Sequence, residues 1–457
     1  METTTTIAAI STPQGTGGVG IVRLSGPQAI AIAMRVFRPA NPGQSLAKMK
    51  GYTGCLGRIY EKNEDVDDAI AFVYRGPKSY TGEDVVELSS HGGLWIVQKV
   101  LRLCLEQGSH PAQPGEFTKR AFLNSKLDLL QAEAVMDLIH AKGDAALRAA
   151  LAGRDGRLST KITAIVENLV RQSAHLAAWA DYPEEDIEAV DADLMKTELE
   201  QSHHQLADLL ATSDAGRLLQ EGIRTAIIGR PNVGKSTLMN LLTGHQRSIV
   251  TEIPGTTRDV VEESVRMGDF VLRLYDTAGI RETDDKIESI GVEKSKELLE
   301  TAELVLVLFD GAQPLTEQDK ILVQAVQNRP AIAVINKADL PQQVAPAELT
   351  PSFAAVVEAS AATGTGRENL EQAILSLLKL DTFDPTQAIV GSERQRLALI
   401  QAQGAVEEAL QALAMGMTYD AVNADIDFAL DILLALTGER VAEKVVDEVF
   451  SSFCVGK

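Results

Sequence analysis

The octapeptide Gly229-Arg230-Pro231-Asn232-Val233-Gly234-Lys235-Ser236 constrains this chain more than any other stretch. It has the spacing G-x-x-x-x-G-K-S, follows an apolar run at 224–228 that reads as a buried strand, and opens a helical run from Ser236. Glycines let backbone N–H groups wrap a polyphosphate, and the N-terminus of the following helix points its free N–H groups at it. Lys235 would bridge the outer phosphates, and the Ser236 hydroxyl would bind Mg²⁺. The phosphate contacts are expected from Asn232, Val233, Gly234, Lys235, Ser236 and Thr237. A strand–loop–helix unit of this kind belongs to a doubly wound, mainly parallel sheet.

Four further motifs lie where such a sheet requires them. Asp276-Thr277-Ala278-Gly279 ends an apolar strand, where Asp276 would hold Mg²⁺ through water and the Gly279 N–H could approach a γ-phosphate. Between it and the P-loop lies a switch-type loop, Thr251-Glu252-Ile253-Pro254-Gly255-Thr256-Thr257-Arg258-Asp259, with Thr257 expected to supply the second Mg²⁺ hydroxyl. Asn336-Lys337-Ala338-Asp339 follows another apolar strand and reads as N-K-x-D. The Asp339 carboxylate can accept from guanine N1–H and the N2 amine together, whereas adenine offers neither donor. Ser360-Ala361, after the last strand, can offer backbone N–H to guanine O6. GTP is therefore the expected substrate. The position after Asp276–Gly279, where Ras-like enzymes carry a water-orienting glutamine, is Ile280, so another group must orient water.

Taken in order, 1–119 mixes short strands (6–11, 19–24, 53–60, 69–74, 85–89) with helices at 27–37 and 94–107, an α+β domain. Its Gly15-Thr16-Gly17-Gly18-Val19-Gly20 matches a dinucleotide fingerprint, but 21–24 continues as a strand where a Rossmann turn must open a helix. A glycine-rich loop entering a strand is the expectation. Residues 120–215 have helical spacing, broken by an acidic turn at 181–186. Strand–helix alternation fills 216–380, with strands at 225–228, 270–275, 304–309, 331–335 and 354–358, and helical character returns over 381–457. The expected architecture is a multidomain α/β chain: an N-terminal α+β domain and an all-helical domain into which a Ras-like P-loop G domain is inserted.

Composition excludes several classes. No apolar stretch approaches the roughly 20 residues of a membrane helix, and no basic, apolar leader opens the chain, so the expected location is cytoplasmic. Three cysteines and no C-x-x-C rule out a disulfide framework or a zinc ribbon. A net charge of −21 opposes non-specific nucleic-acid binding, so any RNA must meet a local basic patch or arrive through another protein.

With these motifs, the chain resembles the MnmE (TrmE) family of tRNA modification GTPases over essentially its whole length. Outside the G motifs the resemblance rests on Gly17-Gly18-Val19-Gly20, Tyr80-Thr81-Gly82-Glu83-Asp84, Pro114-Gly115-Glu116-Phe117 and Cys454-Val455-Gly456-Lys457. It implies a K⁺-stimulated GTPase whose G domains dimerise across nucleotide, with K⁺ ligands from Asn232, Thr251, Ile253 and Thr256 and a water-orienting acid at Glu288. It implies an N-terminal site for 5-formyl- or 5,10-methylene-tetrahydrofolate contacted by Arg23, Glu87, Lys126 and Lys457, with Cys454 a candidate reactive thiol. It further implies a constitutive homodimer that acts with the FAD-dependent partner MnmG (GidA) on C5 of the wobble uridine of certain tRNAs, a carboxymethylaminomethyl-type modification. The alternative is an Era-like ribosome-assembly switch, which would need an RNA-binding module of KH type. The C-terminal region here is acidic and helical instead.

Overall fold

A computed structural model of the chain describes residues 5–181, 190–244, 262–275, 300–451 and 453–457. Two compact units emerge, one of residues 1–136 with 430–457 and one of residues 137–429.

The first unit is built on a seven-stranded sheet in the order β3-β4-β5-β6-β2-β1-β7. The strands are β1 (Ile7–Ile10), β2 (Gly17–Ser25), β3 (Phe37–Pro39), β4 (Thr53–Glu61), β5 (Glu64–Tyr74), β6 (Val85–Gly92) and β7 (His110–Pro111). Helices α1 (Ala29–Val36) and α2 (Leu94–Glu106) supply Ile32, Ala33, Val100 and Cys104 to a core completed by Val22, Leu24 and Leu88. Strand β2 starts inside the glycine run, so that run enters a strand as the sequence reading expects. Short β3 and β7 were not anticipated: two or three residues carry no readable period.

Helix α3 (Glu116–Leu123) carries Arg120, only 2% exposed, whose guanidinium donates to Thr5 O at 2.7 Å, to Glu83 at 3.1 and 3.2 Å and to Glu116 at 2.9 Å. A buried cation persists only when carboxylates and carbonyls replace its water. Arg120 thus ties together the segments around Glu83 and Glu116, which lie in the stretches 80–84 and 114–117. Gly115, at φ +68°, is left-handed, and a Cβ there would lie 2.6 Å from Phe450 O. Phe450, on α14 (Glu443–Ser451), packs with Leu129, Met136 and Val446. Leu129 and Met136 belong to α4 (Leu129–His140).

The second unit holds a six-stranded sheet in the order β13-β12-β11-β8-β10-β9. Its strands are β8 (Ile223–Gly229), β9 (Glu262–Met267), β10 (Phe270–Tyr275), β11 (Leu304–Asp310), β12 (Ala331–Asn336) and β13 (Ala355–Glu358). All pairs are parallel except the β9–β10 hairpin. Both faces are covered: Leu306 and Leu308 of β11 enter one core, and Val305, Val307 and Phe309 enter the other. Burial on both faces is why these strands read as unbroken apolar runs. The helices of this sheet include α9 (Lys235–Gly244), α10 (Glu317–Ala325) and α11 (Arg367–Leu377).

The long helices α6 (Arg157–Asp181), α7 (Ala192–Leu210), α12 (Glu393–Ala414) and, up to Ala429, α13 (Tyr419–Thr437) also belong to this unit. On α6, the Asn168 amide donates to Ser202 Oγ of α7 at 2.8 Å, and Ser173 donates to Asp427 of α13 at 2.7 Å. Two shorter helices, α5 (Asp144–Arg154) and α8 (Ser213–Glu221), precede the sheet. By sequence α5 lies in the helical stretch, yet Ala145 is buried in the sheet's core. Its Arg148 pairs with Asp269 at 2.5 Å, and Asp144 pairs with Arg266, so both residues hold the β9–β10 hairpin.

Candidate functional site

In the six-stranded sheet, chain order reverses at β8, whose neighbours are β11 on one side and β10 on the other. Ligands of such sheets bind in the crevice at the carboxyl end of that switch point. The P-loop leaves β8 there and enters α9 at Lys235. Asn232 takes φ 64°, a left-handed value uncommon for a residue with a side chain, and Gly234 takes φ +102°. A Cβ on Gly234 would lie 2.2 Å from the Asn336 amide nitrogen, so only glycine fits. Lys235 Nζ donates to Gly229 O at 2.6 Å and to Arg230 O at 2.8 Å, folding the loop over its own ammonium. Burial lowers the Lys235 pKa from its ordinary value, so a phosphate arriving beside it would replace lost solvation with opposite charge. Ser236 and Thr237 are exposed at the start of α9, with Val233 buried beneath them.

The base-reading residues sit on the next two strand ends. Asn336, 3% exposed at the end of β12, donates to Val233 O at 2.7 Å and accepts from Ala361 N–H at 2.9 Å. One amide thereby fixes the P-loop to the segment after β13. Lys337, at φ 62°, reaches back to Asp310 Oδ2 at 2.6 Å. Ala338 N–H donates to Ala359 O at 3.0 Å. Asp339 is exposed and accepts from Ser360 Oγ at 2.5 Å on one of its two oxygens.

One detail differs from the sequence expectation for Ser360 and Ala361. The Ser360 N–H donates to Thr365 O at 3.0 Å and the Ala361 N–H to Asn336 Oδ1, so a guanine O6 arriving there must share or replace Asn336 as acceptor. The stronger contribution of Ser360 is its hydroxyl, which orients Asp339. Thr251, Glu252, Ile253, Pro254, Gly255, Thr256 and Thr257, Asp276, Thr277, Ala278 and Gly279, and Glu288 all lie outside the described residues.

A second cluster forms in the first unit. Arg23 and Glu87 stand directly opposite each other across β2 and β6, which puts both side chains on one face. Arg23 Nε and Nη2 meet Glu87 Oε1 at 2.9 and 2.8 Å, a third nitrogen donates to Gly456 O at 3.3 Å, and the guanidinium lies 5.6 Å from the Phe117 ring centroid. Tyr74 donates to Glu87 Oε2 at 3.4 Å. The tail is seated by Ser11 Oγ donating to Gly456 O and by Phe117 N–H donating to Lys457 O at 3.0 Å. Burial first, then the nearby Arg23 charge, lowers the Lys457 pKa from its ordinary value. A lysine in that state gains from an incoming anion.

Arg23, Glu87 and Lys457 are therefore gathered, whereas Lys126 is not. Its ammonium donates to Pro77 O at 3.0 Å, and its side chain lines a cavity of about 1080 Å³ between α3 and α14. Cys454 is exposed, while Cys55 and Cys104 are buried and burial pushes the Cys104 thiol up to about 12. Only Cys454 is accessible enough to react. Sequence reasoning missed Tyr74, Phe117 and Asp310. Phe117 stood in a quoted motif, but nothing in its spacing points to Arg23, and the Lys337–Asp310 pair spans two strand ends.

A model of the MnmE helical domain matches residues 129–454, and a model of the GTP-binding protein TrmE N-terminus matches residues 6–126. The chain is 44% identical over 461 residues to a tRNA modification GTPase MnmE of Geobacillus thermodenitrificans, covering 99% of each chain. It is 42% identical over 459 residues to one of Streptococcus thermophilus, covering 99% of this chain and 98% of that one. Among solved structures, Aquifex aeolicus Era bound to GDP.AlF4- is similar at 30% identity over 40% of this chain and 66% of its own, with a TM-score of 0.27.

Proposed function

The chain belongs to the MnmE family of tRNA modification GTPases, and from that premise we propose that it couples K⁺-stimulated GTP hydrolysis to folate-dependent modification of tRNA wobble uridines. The observation that carries the hydrolytic half is the exposed Asp339 carboxylate, oriented by Ser360 and tied through Asn336 to a closed P-loop. That arrangement supports a reading in which Asp339 selects guanine by its two donors and the phosphates lie at Lys235 and the N-terminus of α9.

Hydrolysis needs charge neutralisation at the transferring phosphate and an oriented water. Ser236 and Thr257 would hold a Mg²⁺ ion, which would supply part of that charge when bound. Asn232, with Thr251, Ile253 and Thr256, would hold a K⁺ ion, whose charge would serve where an arginine finger serves elsewhere. The exposed Asn232 side chain, on a loop bent left-handed at that residue, suits such a role. Glu288 orients the water, since Ile280 cannot. Pairing of G domains across the nucleotide then biases the helical body.

The folate half rests on the Arg23–Glu87–Lys457 cluster: Glu87 would accept from the donor edge of a pterin and Lys457 would meet a glutamyl carboxylate, with Lys126, which stands apart from the cluster, left for the far end of the glutamyl tail. Cys454 is the thiol available to that site. Functional division runs over 1–119 for folate and homodimerisation, 120–215 and 381–457 for the helical domain, and 216–380 for the G domain. The work is shared with the FAD-dependent MnmG, in the cytoplasm. No helix among the described residues is long and apolar enough to cross a membrane. An Era-like switch is disfavoured because the TrmE and MnmE models account for the chain outside the G motifs, where such a switch would need an RNA-binding module.

The experiment is a GTPase assay in KCl and NaCl at matched ionic strength. Turnover should be at least about tenfold faster in KCl, as expected for a missing unit of charge at the transition state. Equal rates in the two salts remove the K⁺ mechanism.

A further inference from the structure

We propose that Asp319, which no motif of the nucleotide site includes, is a positioning residue that fixes the P-loop through Arg230. The inference rests on the P-loop reading and adds to it the group that holds the loop's first half.

The loop is pinned at two points. At its far end, Asn336 holds the Val233 carbonyl. At its near end, Arg230 Nε donates to Asp319 Oδ1 at 2.8 Å, with the Asp319 side chain 1% exposed and that of Arg230 15% exposed. The remaining carboxylate oxygen, Oδ2, accepts from Thr316 N–H and Thr316 Oγ1, both at 2.8 Å, closing a capping box at the start of α10. Both oxygens of this buried carboxylate are therefore engaged, and the helix N-terminus stabilises its charge. Breaking such a pair leaves an uncompensated buried charge, so the geometry is held firmly.

What Asp319 holds is functional backbone. The Arg230 carbonyl and the Gly229 carbonyl before it are the acceptors that park Lys235 Nζ. Asn232, two residues on, keeps a left-handed conformation that persists only where its surroundings impose it. Phosphate affinity depends on N–H groups and an ammonium fixed before the ligand arrives. Releasing Arg230 frees the segment that sets both. A purely architectural ion pair, stapling α10 to the sheet, would alter melting and nothing else.

The test uses the full chain with Asp319→Asn, which keeps an acceptor for Thr316 and removes the charge. Arg230→Lys, which keeps the charge and removes the Nε contact, serves if the first variant does not fold. Dissociation constants for GDP and GTP are measured by calorimetry well below each variant's Tm, together with kcat and KM for GTP. Supporting partners of metal-binding groups are worth about 10- to 100-fold in affinity, and we expect a loss of about tenfold for both nucleotides. KM should rise more than kcat falls, and the preference for GTP over ATP should be unchanged because Asp339 is untouched. A folded variant with wild-type constants for both nucleotides overturns the proposal. Failure of the P-loop reading itself would look different: the wild-type chain would not bind GDP.

Discussion

Asp339→Asn is expected to convert the nucleotide site from guanine to xanthine. The wild-type carboxylate accepts from two guanine donors, and a hydrogen bond to a charged group is worth about 1.5–3 kcal/mol. Exchanging it for an amide loses one acceptor and places an NH₂ group against the guanine amine. The expected loss of GTP affinity is about a hundredfold or more, or at least about 2.8 kcal/mol. Xanthine carries a carbonyl at C2, which accepts from the new amide, so XTP should bind with an affinity near that of GTP for the wild type. Ser360 makes the swap directional. Its hydroxyl donates to Oδ1 in the wild type and will keep the amide oxygen on that side, turning the NH₂ toward the base. Titration of both proteins with GDP, GTP and XTP reads the outcome; unchanged GTP affinity in the variant would remove Asp339 from base recognition.

The second large effect is expected at Arg23. Its guanidinium makes two short contacts to Glu87, one to the Gly456 carbonyl and one to the Phe117 ring. Arg23→Ala therefore removes a recognition group and releases both partners, leaving Glu87 its longer hydrogen bond from Tyr74 at 3.4 Å and the nearby Lys457 charge. Calorimetry with 5-formyl-tetrahydrofolate should show binding by the wild type and a loss of about a hundredfold or more in Arg23→Ala, the equivalent of about two charge-assisted hydrogen bonds. GTP affinity should be unaffected, since no residue of the P-loop or the base motif belongs to this cluster. A wild-type chain that does not bind the folate ends the assignment, and a variant that binds as well as wild type moves it to other residues.

The part of the fold that could be read in the sequence is the part whose physics is local. Strand β11 is buried along its whole length and reads as an apolar run, and the P-loop reads as a motif because its phosphate contacts come from consecutive backbone. The same reasoning rejected a dinucleotide site at Gly15–Gly20, and β2 does run from Gly17 to Ser25. Edge elements were harder. Strand β9 is paired on one side only, in a hairpin, and its Glu262-Glu263-Ser264-Val265-Arg266-Met267 carries too few apolar residues to show a period. Non-local pairings were not legible at all. Arg23 meets Glu87 only because β2 pairs with β6 in one register, and Arg230 meets Asp319 across 89 residues. Helix α5 looked like part of a helical body because its own spacing is helical, and nothing in that spacing tells which core receives Ala145.

The most direct test of the whole account is nucleoside analysis of bulk tRNA from cells in which this gene is deleted and then restored. The account predicts that the C5-modified wobble uridine disappears in the deletion, returns with the wild-type chain, and does not return with Asp339→Asn under ordinary nucleotide pools. Unaltered wobble uridine in the deletion, or full restoration by Asp339→Asn, would contradict it.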